Sequence, residues 1–204
     1  TYGRPLVVKT YAHGWVMIVP SGYNNPSGVG KIFVVDLKTG TKLKTFTTSA
    51  GTSASPSGLA HISGYTKDHR NQFVEQVYGG DLLGNLWRFD LSNPDADAWP
   101  LNVTVPLARF DNGTPQPVTT PPQIEVDIAN GVDRWVFVGT GRLLDDSDLQ
   151  STAAQTMYAI RDGTYATPKT ITAAVTRGST GMVAVTSKDP LATKPALGWY
   201  DDLP

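Results

Sequence analysis

The stretch YGGDLLGNLWRFDL at residues 78–91 decides the fold class. Polar and apolar residues alternate through its second half, and this period of two predicts a half-buried β-strand. A Gly-Gly-Asp turn and a following Gly-Asn interrupt the apolar residues, and tight turns favour these residue types. The stretch therefore predicts a short strand, a tight turn and a second strand that ends in an aromatic residue and an aspartate.

The same order of features recurs in residues 14–48 and 133–171 and, around the quoted stretch, in residues 75–103. Each segment predicts a strand, a glycine turn, a strand ending in aspartate, another turn and another strand. A further strand is predicted before each segment, at residues 5–11, 58–65 and 122–129. Four strands per unit are typical of a β-propeller blade. The recurring residues are the aromatics Phe33, Trp87 and Tyr158, expected to be largely buried, the turn-initiating aspartates Asp36, Asp90 and Asp162, and the glycines Gly22, Gly80, Gly139 and Gly141.

The repeat predicts an all-β chain that forms part of one β-propeller-like domain with antiparallel four-stranded blades. The approximate blades are residues 1–49, 50–105 and 106–175, with an incomplete blade at 176–204. About three and a half blades cannot close a ring, which takes about four to eight. We therefore expect further blades outside this chain, against which residues 6–11 and 199–203 would lie. The lack of an initiator methionine and of a signal segment supports this expectation.

Three segments are predicted to lie outside the regular strands. The proline-rich residues 112–123 predict an extended connection between blades, because proline cannot donate to a central ladder. Residues 147–158 are the best helical candidate, with Ser147 or Asp146 as N-cap, and a loop with one helical turn is the alternative. Loops 92–122 and 144–155 are where we expect recognition residues.

The composition narrows the function classes. A formal net charge of -1 and the lack of a Lys/Arg-rich stripe argue against nucleic acid as a partner. The longest apolar run, residues 15–19, is far shorter than the roughly 20 residues that span a bilayer. The chain has no cysteine, which excludes disulfides and thiolate metal sites.

The quoted motif, extended to residues 77–91, resembles the hallmark of the C-terminal β-propeller of type IV pilus tip-associated adhesins, the PilY/PilC-type family. Four more segments resemble further strands of that family and occur in the family's order, namely residues 14–25, 135–149, 155–162 and 198–203. One departure is Pro20, which stands where the family usually has glycine before Gly-Tyr-Asn.

The resemblance implies a non-enzymatic structural and adhesive module of the pilus tip. Such a module would support pilus assembly or extension, twitching motility and attachment to host or abiotic surfaces. Its implied partners are minor pilins or other tip components. The implied location is the bacterial cell surface at the pilus tip, reached by export through the periplasm, and the module would need no cofactor.

The resemblance also raises the question of calcium, because the family commonly carries a nine-residue calcium loop before this strand. Its ligand positions fall here on Lys67, His69, Asn71 and Glu75, with Asp68 available after a shift. Ca²⁺ takes six to eight oxygen ligands, and Lys67 would place a cation among them. We therefore predict that residues 67–75 bind no Ca²⁺ and assign no metal ligand. The acidic loop with Asp145, Asp146 and Asp148 is a second possible Ca²⁺ site, although it lacks the glycine turn and distal glutamate of an EF-type loop.

The sequence assigns no catalytic residue. His13, His61 and His69 are far apart, no nucleophile elbow or zinc-protease helix motif occurs, and GTGRLL lacks the context of a dinucleotide loop. Asn102 and Asn112 fit glycosylation patterns that occur often by chance. The alternative function is an enzyme of the quinoprotein dehydrogenase type, whose Asp-x-x-x-Gly turn and tryptophan are loosely matched at residues 34–43 and 79–87.

Aromatic residues could also form a carbohydrate platform, as in a sugar-binding propeller. Trp87 and Phe89 are predicted on one face of their strand, with Arg88 and Asp90 on the other. We favour packing between blades for these two aromatics. The same interpretation extends to Trp15 and Trp135, which hold equivalent places in two units.

Overall fold

The computed structural model describes residues 2–129, 131–186, 191 and 193–203. These residues form three β-sheets, joined by loops and by the short 3-10 helices Ala96–Ala98 and Asp146–Gln150. The predicted all-β architecture with antiparallel sheets is confirmed, and the sheets do not close into a ring. Within the described ranges, no helix has the length and apolar character needed to cross a membrane. In chain order the strands are β1 (Leu6–Thr10), β2 (Gly14–Pro20), β3 (Lys31–Asp36), β4 (Lys42–Thr48), β5 (His61–Thr66), β6 (Val74–Gly80), β7 (Asn85–Asp90), β8 (Asn102–Val103), β9 (Ala108–Arg109), β10 (Gln123–Asp127), β11 (Asp133–Gly139), β12 (Thr156–Thr164), β13 (Met182–Ala184) and β14 (Gly198–Asp202).

The first sheet has the strand order β1-β2-β3-β4-β8. Its first four strands are consecutive antiparallel hairpins, and β8 pairs parallel with β4. The turn after β3 begins at Asp36, whose Oδ1 accepts hydrogen bonds from the backbone N–H groups of Lys38 (3.1 Å) and Thr39 (2.7 Å). The predicted role of Asp36 as a turn initiator is therefore confirmed.

The second sheet has the order β5-β6-β7-β9, and the third has the order β10-β11-β12-β14-β13. Asp90 ends β7, and its Oδ1 accepts hydrogen bonds from the N–H (2.9 Å) and hydroxyl (2.6 Å) of Ser92. Asp90 thus also begins a turn, as predicted. The strands predicted before each unit correspond to β1, β5 and β10, which lie at the sheet edges.

The second sheet lies between the other two, and each of its faces packs against a neighbour. Val77, Trp87 and Phe89 share a core with residues of the first sheet, among them Ile18, Ile32 and Phe46. Tyr78 and Leu86 share another core with Val136, Val138, Tyr158 and Ile160 of the third sheet. Because neighbouring side chains in a strand point to opposite faces, the adjacent Leu86 and Trp87 belong to different interfaces. The predicted burial of Trp87 and Tyr158 is confirmed.

Phe33 departs from this pattern, because it is only half-buried and the prediction of its burial is wrong. It alternates with Ile32 and Val34, which pack toward the second sheet, so Phe33 points to the opposite side. Phe33 pairs across strands with Val19, and Val35 pairs with Met17, which in turn faces Val7. These five apolar residues are half-buried or exposed, and we call them the outer face of the first sheet.

Trp15 and Trp135 do not lie between the sheets that the structure describes, and their predicted role in packing between blades stays a prediction. Trp15 is 44% exposed, and the Nζ of Lys9 lies 5.1 Å from its ring centroid. Trp135 is buried, but it lies on the face of β11 opposite to Val136 and Val138, which face the second sheet. The sequence spacing aligns these tryptophans between the units. The face that each one occupies depends on whether it stands at an odd or an even position along its strand.

The chain after residue 175 does not begin a fourth sheet in the described ranges. β14 pairs antiparallel with the edge of β12, and β13 pairs parallel with β14, so both strands extend the third sheet. The expected incomplete blade at 176–204 is therefore wrong. The free edge of β12 offers unpaired backbone groups, and the returning chain satisfies them.

A buried polar network joins the second and third sheets. Arg134, which is fully buried, donates from Nη1 to Gln76 Oε1 (2.7 Å) and to Tyr78 Oη (3.0 Å), and its guanidinium lies 3.6 Å from the Tyr65 ring centroid. Tyr78 donates its hydroxyl to Asp162 Oδ2 (2.6 Å). Arg88 Nη1 donates to the other oxygen of Asp162 (2.5 Å).

Asp162 is therefore an inter-sheet anchor, and the prediction that it initiates a turn is wrong. Its carboxylate is fully buried and is paired with Arg88. Burial, followed by the negative charge of Asp162, raises the pKa of Tyr78 well above its usual value, so Tyr78 stays a donor. The ion pair with Arg88 and the hydrogen bond from Tyr78 offset the cost of burying the carboxylate.

We expect Asp162→Ala to destabilise the protein by about 3–5 kcal/mol, because it leaves Arg88 and the Tyr78 hydroxyl without their buried partner. Urea unfolding followed by tryptophan fluorescence would measure the change. Asp90→Ala is the matched control, since it removes a turn-initiating carboxylate at a cost of about 1 kcal/mol. Equal losses in the two variants would contradict the anchoring role of Asp162.

Candidate functional site

The hallmark stretch is organised around the carboxylate of Asp81, which directly follows β6 and is fully buried. Its Oδ1 accepts hydrogen bonds from the N–H groups of Leu83 (3.0 Å) and Asn85 (2.9 Å). Its Oδ2 accepts from Trp87 Nε1 (2.8 Å) and Ser57 Oγ (3.2 Å). Burial raises the pKa of Asp81, and the hydrogen bonds from Trp87 and Asn85 oppose that rise. Sequence reasoning missed this anchor, and the spacing Asp-x-x-Gly-Asn-x-Trp is its only signal.

Residues 67–73 connect β5 to β6 and include most of the positions considered for calcium. Asp68 Oδ1 accepts hydrogen bonds from the backbone N–H (3.0 Å) and Nε (3.3 Å) of Arg70, and Asn71 Oδ1 accepts from the N–H of Phe73 (3.0 Å). Lys67 Nζ lies 5.4 Å from the ring centroid of Tyr165. The backbone N–H of Lys9 donates to the carbonyl of Gln72 (3.1 Å), which ties this connection to β1. Protein contacts therefore hold the segment, with its oxygen-bearing side chains bonded locally.

The acidic loop uses its carboxylates to hold its own backbone. Asp145 Oδ1 accepts from the N–H of Ser147 (2.8 Å), so Asp145 is the N-cap of the 3-10 helix in place of the predicted Ser147 or Asp146. Asp148 accepts from the N–H of Leu144 (2.8 Å) and from Arg142 Nε (2.7 Å). These hydrogen bonds lower the pKa of both Asp145 and Asp148. Over the residues that the structure describes, no three His, Asp or Glu side chains form a group able to hold a metal ion.

The structure keeps the three histidines apart. His13 contacts the Trp99 ring edge-on, with centroids 5.6 Å apart, and His69 Nδ1 lies 3.1 Å from Thr66 Oγ1. His61 lies beside Tyr2 and Tyr23. Asn102 belongs to β8, and Asn112 Oδ1 accepts a hydrogen bond from Arg177 (3.0 Å). These residues do not form a common site.

A cleft of about 580 Å³ lies where the loops after the second strand of each sheet meet. The loop after β2 supplies Ser21 to Asn24, the turn after β6 supplies Leu82, and the loop after β11 supplies Arg142, Leu144 and Asp145. Tyr2 completes one wall. We call this feature the three-loop cleft. Residues 144 and 145 belong to the expected recognition loop 144–155, whereas the loop 92–122 contributes residues 94–97 to a smaller hollow of about 290 Å³ elsewhere.

One wall of the three-loop cleft is aromatic. The rings of Tyr2 and Tyr23 lie 5.0 Å apart between centroids, and His61 contacts both at 6.2 and 6.3 Å. Burial raises the pKa of Tyr23 and lowers the pKa of His61, so both side chains are uncharged at neutral pH. The sequence pointed to this site through the expected recognition loop 144–155 and through the aligned glycines Gly22, Gly80 and Gly139, which lie at or just after the end of the second strand of each sheet.

The opposite wall carries charges that largely compensate one another. Arg142 is paired with Asp148, at 2.6 Å between Nη2 and Oδ1. Asp145 adds a carboxylate, one oxygen of which caps the 3-10 helix. The cleft therefore combines an uncharged aromatic wall with a polar wall that has no excess of positive charge.

Comparison with known proteins identifies the family. The sequence model of the PilY1 beta-propeller domain matches residues 1–189. The chain belongs to this family. A type IV pilus biogenesis factor PilY1 homolog of Xylella fastidiosa (strain Temecula1) is 29% identical over all of this chain. The type IV pilus biogenesis factor PilY1 of Pseudomonas aeruginosa (strain UCBPP-PA14) is 30% identical over 79% of this chain.

The chain is a small part of these relatives, spanning 15% of the Xylella protein and 16% of the Pseudomonas protein. The crystal structure of the Pseudomonas aeruginosa PilY1 C-terminal domain superposes with a TM-score of 0.75 at 22% sequence identity. It covers 98% of this chain, which matches 49% of the crystallised one. The likeness confirms the β-propeller fold, and the recognition of the family from residues 77–91 is also confirmed.

We expect this PilY1-family chain to gain no stability from calcium at residues 67–75, because Lys67 opposes a cation and Asp68 and Asn71 are bonded locally. Melting temperature should be the same with about 1 mM Ca²⁺ as with a chelator. Isothermal titration provides the direct measurement. Tight binding that Glu75→Ala abolishes would contradict the prediction.

We expect Gly58→Ala to distort the aromatic wall of the cleft. Gly58 has a φ of +68°, and an added Cβ would lie 2.5 Å from Leu82 Cγ and 3.3 Å from Tyr23 Cδ1. Gly40→Ala is a matched control, since its φ is +71° and nothing lies within 4 Å of the added atom. The control should lower the free energy of unfolding by about 1–2 kcal/mol, because of backbone strain alone. Urea unfolding should show a larger loss for Gly58→Ala, and equal losses would refute the close packing at this wall.

Proposed function

We propose that the chain is a non-enzymatic structural and adhesive module of a type IV pilus tip-associated protein. In this role it supports pilus assembly or extension and the attachment of the cell to host or abiotic surfaces. The observation that carries the proposal is the PilY1 beta-propeller match over residues 1–189, together with relatives that are named type IV pilus biogenesis factors. Minor pilins or other tip components are its partners, at the bacterial surface after export through the periplasm.

The use of the buried charges supports a structural role. Asp81, Asp162 and Arg134 are fully buried, and their partners are other groups of the sheets and turns. A catalytic carboxylate or arginine would instead face a cavity in which a substrate could reach it. The surface available for recognition is formed by loops, and loops on a rigid scaffold commonly carry binding functions.

The outer face of the first sheet supports the idea that a longer protein packs further sheet against this chain. Phe33 occupies in β3 the place that Trp87 occupies in β7, three residues before the strand's final aspartate. Trp87 is covered by the first sheet, whereas Phe33, Met17 and Val19 are only half-buried. We propose that another blade covers this face, since exposed apolar patches commonly mark contact surfaces.

The proposal can be tested in a bacterium that makes the full-length protein. Asp81→Ala removes the acceptor of six hydrogen bonds from four residues, Ser57, Leu83, Asn85 and Trp87, and should unfold the turn region. We expect fewer surface pili by electron microscopy and weaker attachment, with Asp90→Ala close to wild type. Immunoblotting would confirm secretion of both variants.

An unchanged pilus number and unchanged attachment with a misfolded Asp81→Ala domain would contradict the pilus role.

The enzymatic alternative has its own test. Dye-linked alcohol or sugar oxidation by the purified full-length protein with pyrroloquinoline quinone and Ca²⁺ would overturn the non-enzymatic part. We expect no turnover above that of a heat-denatured sample.

A further inference from the structure

We propose that the three-loop cleft binds a neutral oligosaccharide, with the rings of Tyr2 and Tyr23 as the platform for a sugar ring. The inference rests on the proposed adhesive function, for which it names the class of ligand. It is carried by the position of two loop tyrosines, the polar groups around them and the balance of charge in the cleft.

The size of the cleft suits a ligand of more than one sugar unit. Its volume of about 580 Å³ lies within the usual range of small-molecule sites, about 300–1,000 Å³. It equals the liquid volume of about twenty water molecules. The cleft therefore has room for a disaccharide or trisaccharide lying along the tyrosine wall.

The aromatic wall provides the apolar part of the recognition. Tyr2 is 58% exposed and stands against the half-buried Tyr23, so one ring presents its surface while the other supports it. Sugar rings have an apolar C–H face, and tyrosine combines an apolar ring with a hydroxyl that hydrogen-bonds. Both tyrosines lie in loops outside the strands, unlike most aromatics of the chain.

The polar part of the recognition comes from Asn24 and its surroundings. The Asn24 side chain is exposed and makes no hydrogen bond to any other residue that the structure describes. Its amide offers both donors and an acceptor, which matches the mixed donor and acceptor character of sugar hydroxyls. Asp145 also lines the cleft, and its carboxylate accepts the capping hydrogen bonds from the backbone N–H groups of Ser147 and Asp148.

The charge balance favours a neutral ligand over an anionic one. Arg142 lines the cleft, but its guanidinium is already paired with Asp148. Asp145 adds a negative charge close by, so the three residues together carry a net charge of -1. A phosphate, sulfate or sialic acid carboxylate would meet repulsion here, whereas a neutral sugar would not.

The cleft is held in place before any ligand binds. The N–H of Gly22 donates to the carbonyl of Leu59 (2.8 Å), and the N–H of Leu82 donates to the carbonyl of Ser57 (2.7 Å). Tyr23 and Leu82 both pack at Gly58, where an added Cβ would collide with Leu82 and lie in tight contact with Tyr23. A preformed wall lowers the entropy cost of binding, which matters for ligands as weakly held as sugars.

The test is an array of neutral and anionic oligosaccharides, probed with the full-length protein and followed by titration of the strongest neutral ligand. Tyr2→Ala and Tyr23→Ala should each weaken binding at least tenfold. Tyr11→Ala is the matched control, since Tyr11 is 46% exposed and stacks on Phe73 away from the cleft. Tyr23→Phe should keep most of the affinity, and circular dichroism would confirm the fold of each variant.

Several outcomes would overturn the proposal. These are no neutral ligand on the array, equal binding by the two tyrosine-to-alanine variants and wild type, or a preference for sialylated over matched neutral glycans. Binding of a proline-rich peptide alone would identify a peptide groove instead. In cells, Tyr23→Ala should keep a normal pilus number and lose only attachment to glycan-coated surfaces, so failure here is distinguishable from failure of the pilus role.

Discussion

The arrangement of the three sheets depends on the hydrogen bonds that the buried carboxylate of Asp81 accepts. A buried carboxylate is costly unless donors surround it, and here the donors come from the turn, from β7 and from the chain before β5. The hydrogen bond to Trp87 fixes the indole that packs against the first sheet. The carbonyl of Asp81 also accepts from the N–H of Val118 (2.9 Å), and Val118 lies in the core shared with the third sheet. One residue therefore connects both interfaces of the second sheet.

The two interfaces are held by different forces. The core between the first and second sheets is apolar, built from residues such as Phe46, Phe89 and Leu91. The second and third sheets share an apolar core and, in addition, the buried network of Arg134, Tyr78 and Asp162. Apolar packing tolerates some change of angle, whereas buried charged groups and their hydrogen bonds require a defined geometry. The network therefore sets how the third sheet lies on the second.

The strands and turns could be predicted because their signals are local. Alternation marked β3, β7 and β12, and Asp36 and Asp90 begin turns with N–H groups two or three residues ahead. The face of each residue could not be predicted, because a period of two does not say which side a neighbour covers. The prediction that Phe33 is largely buried is wrong for this reason. The partners of Asp162 could not be predicted either, since Tyr78 lies 84 residues away in sequence. In the site, the aligned glycines pointed to the right turns, but nothing local placed Tyr2 beside Tyr23.

The three-loop cleft depends on the same constraint as the core. Its walls come from all three sheets, and Leu82 follows Asp81 directly, so the stacking that Asp81 fixes also sets the width of the cleft. A ligand that contacts loops of all three sheets binds only when the sheets are correctly stacked. Binding therefore stabilises the stacked state by mass action, in proportion to the logarithm of ligand concentration over its dissociation constant. Substitutions of loop residues such as Asn24 would change the groups that the cleft offers to a ligand and would leave the buried anchors unchanged.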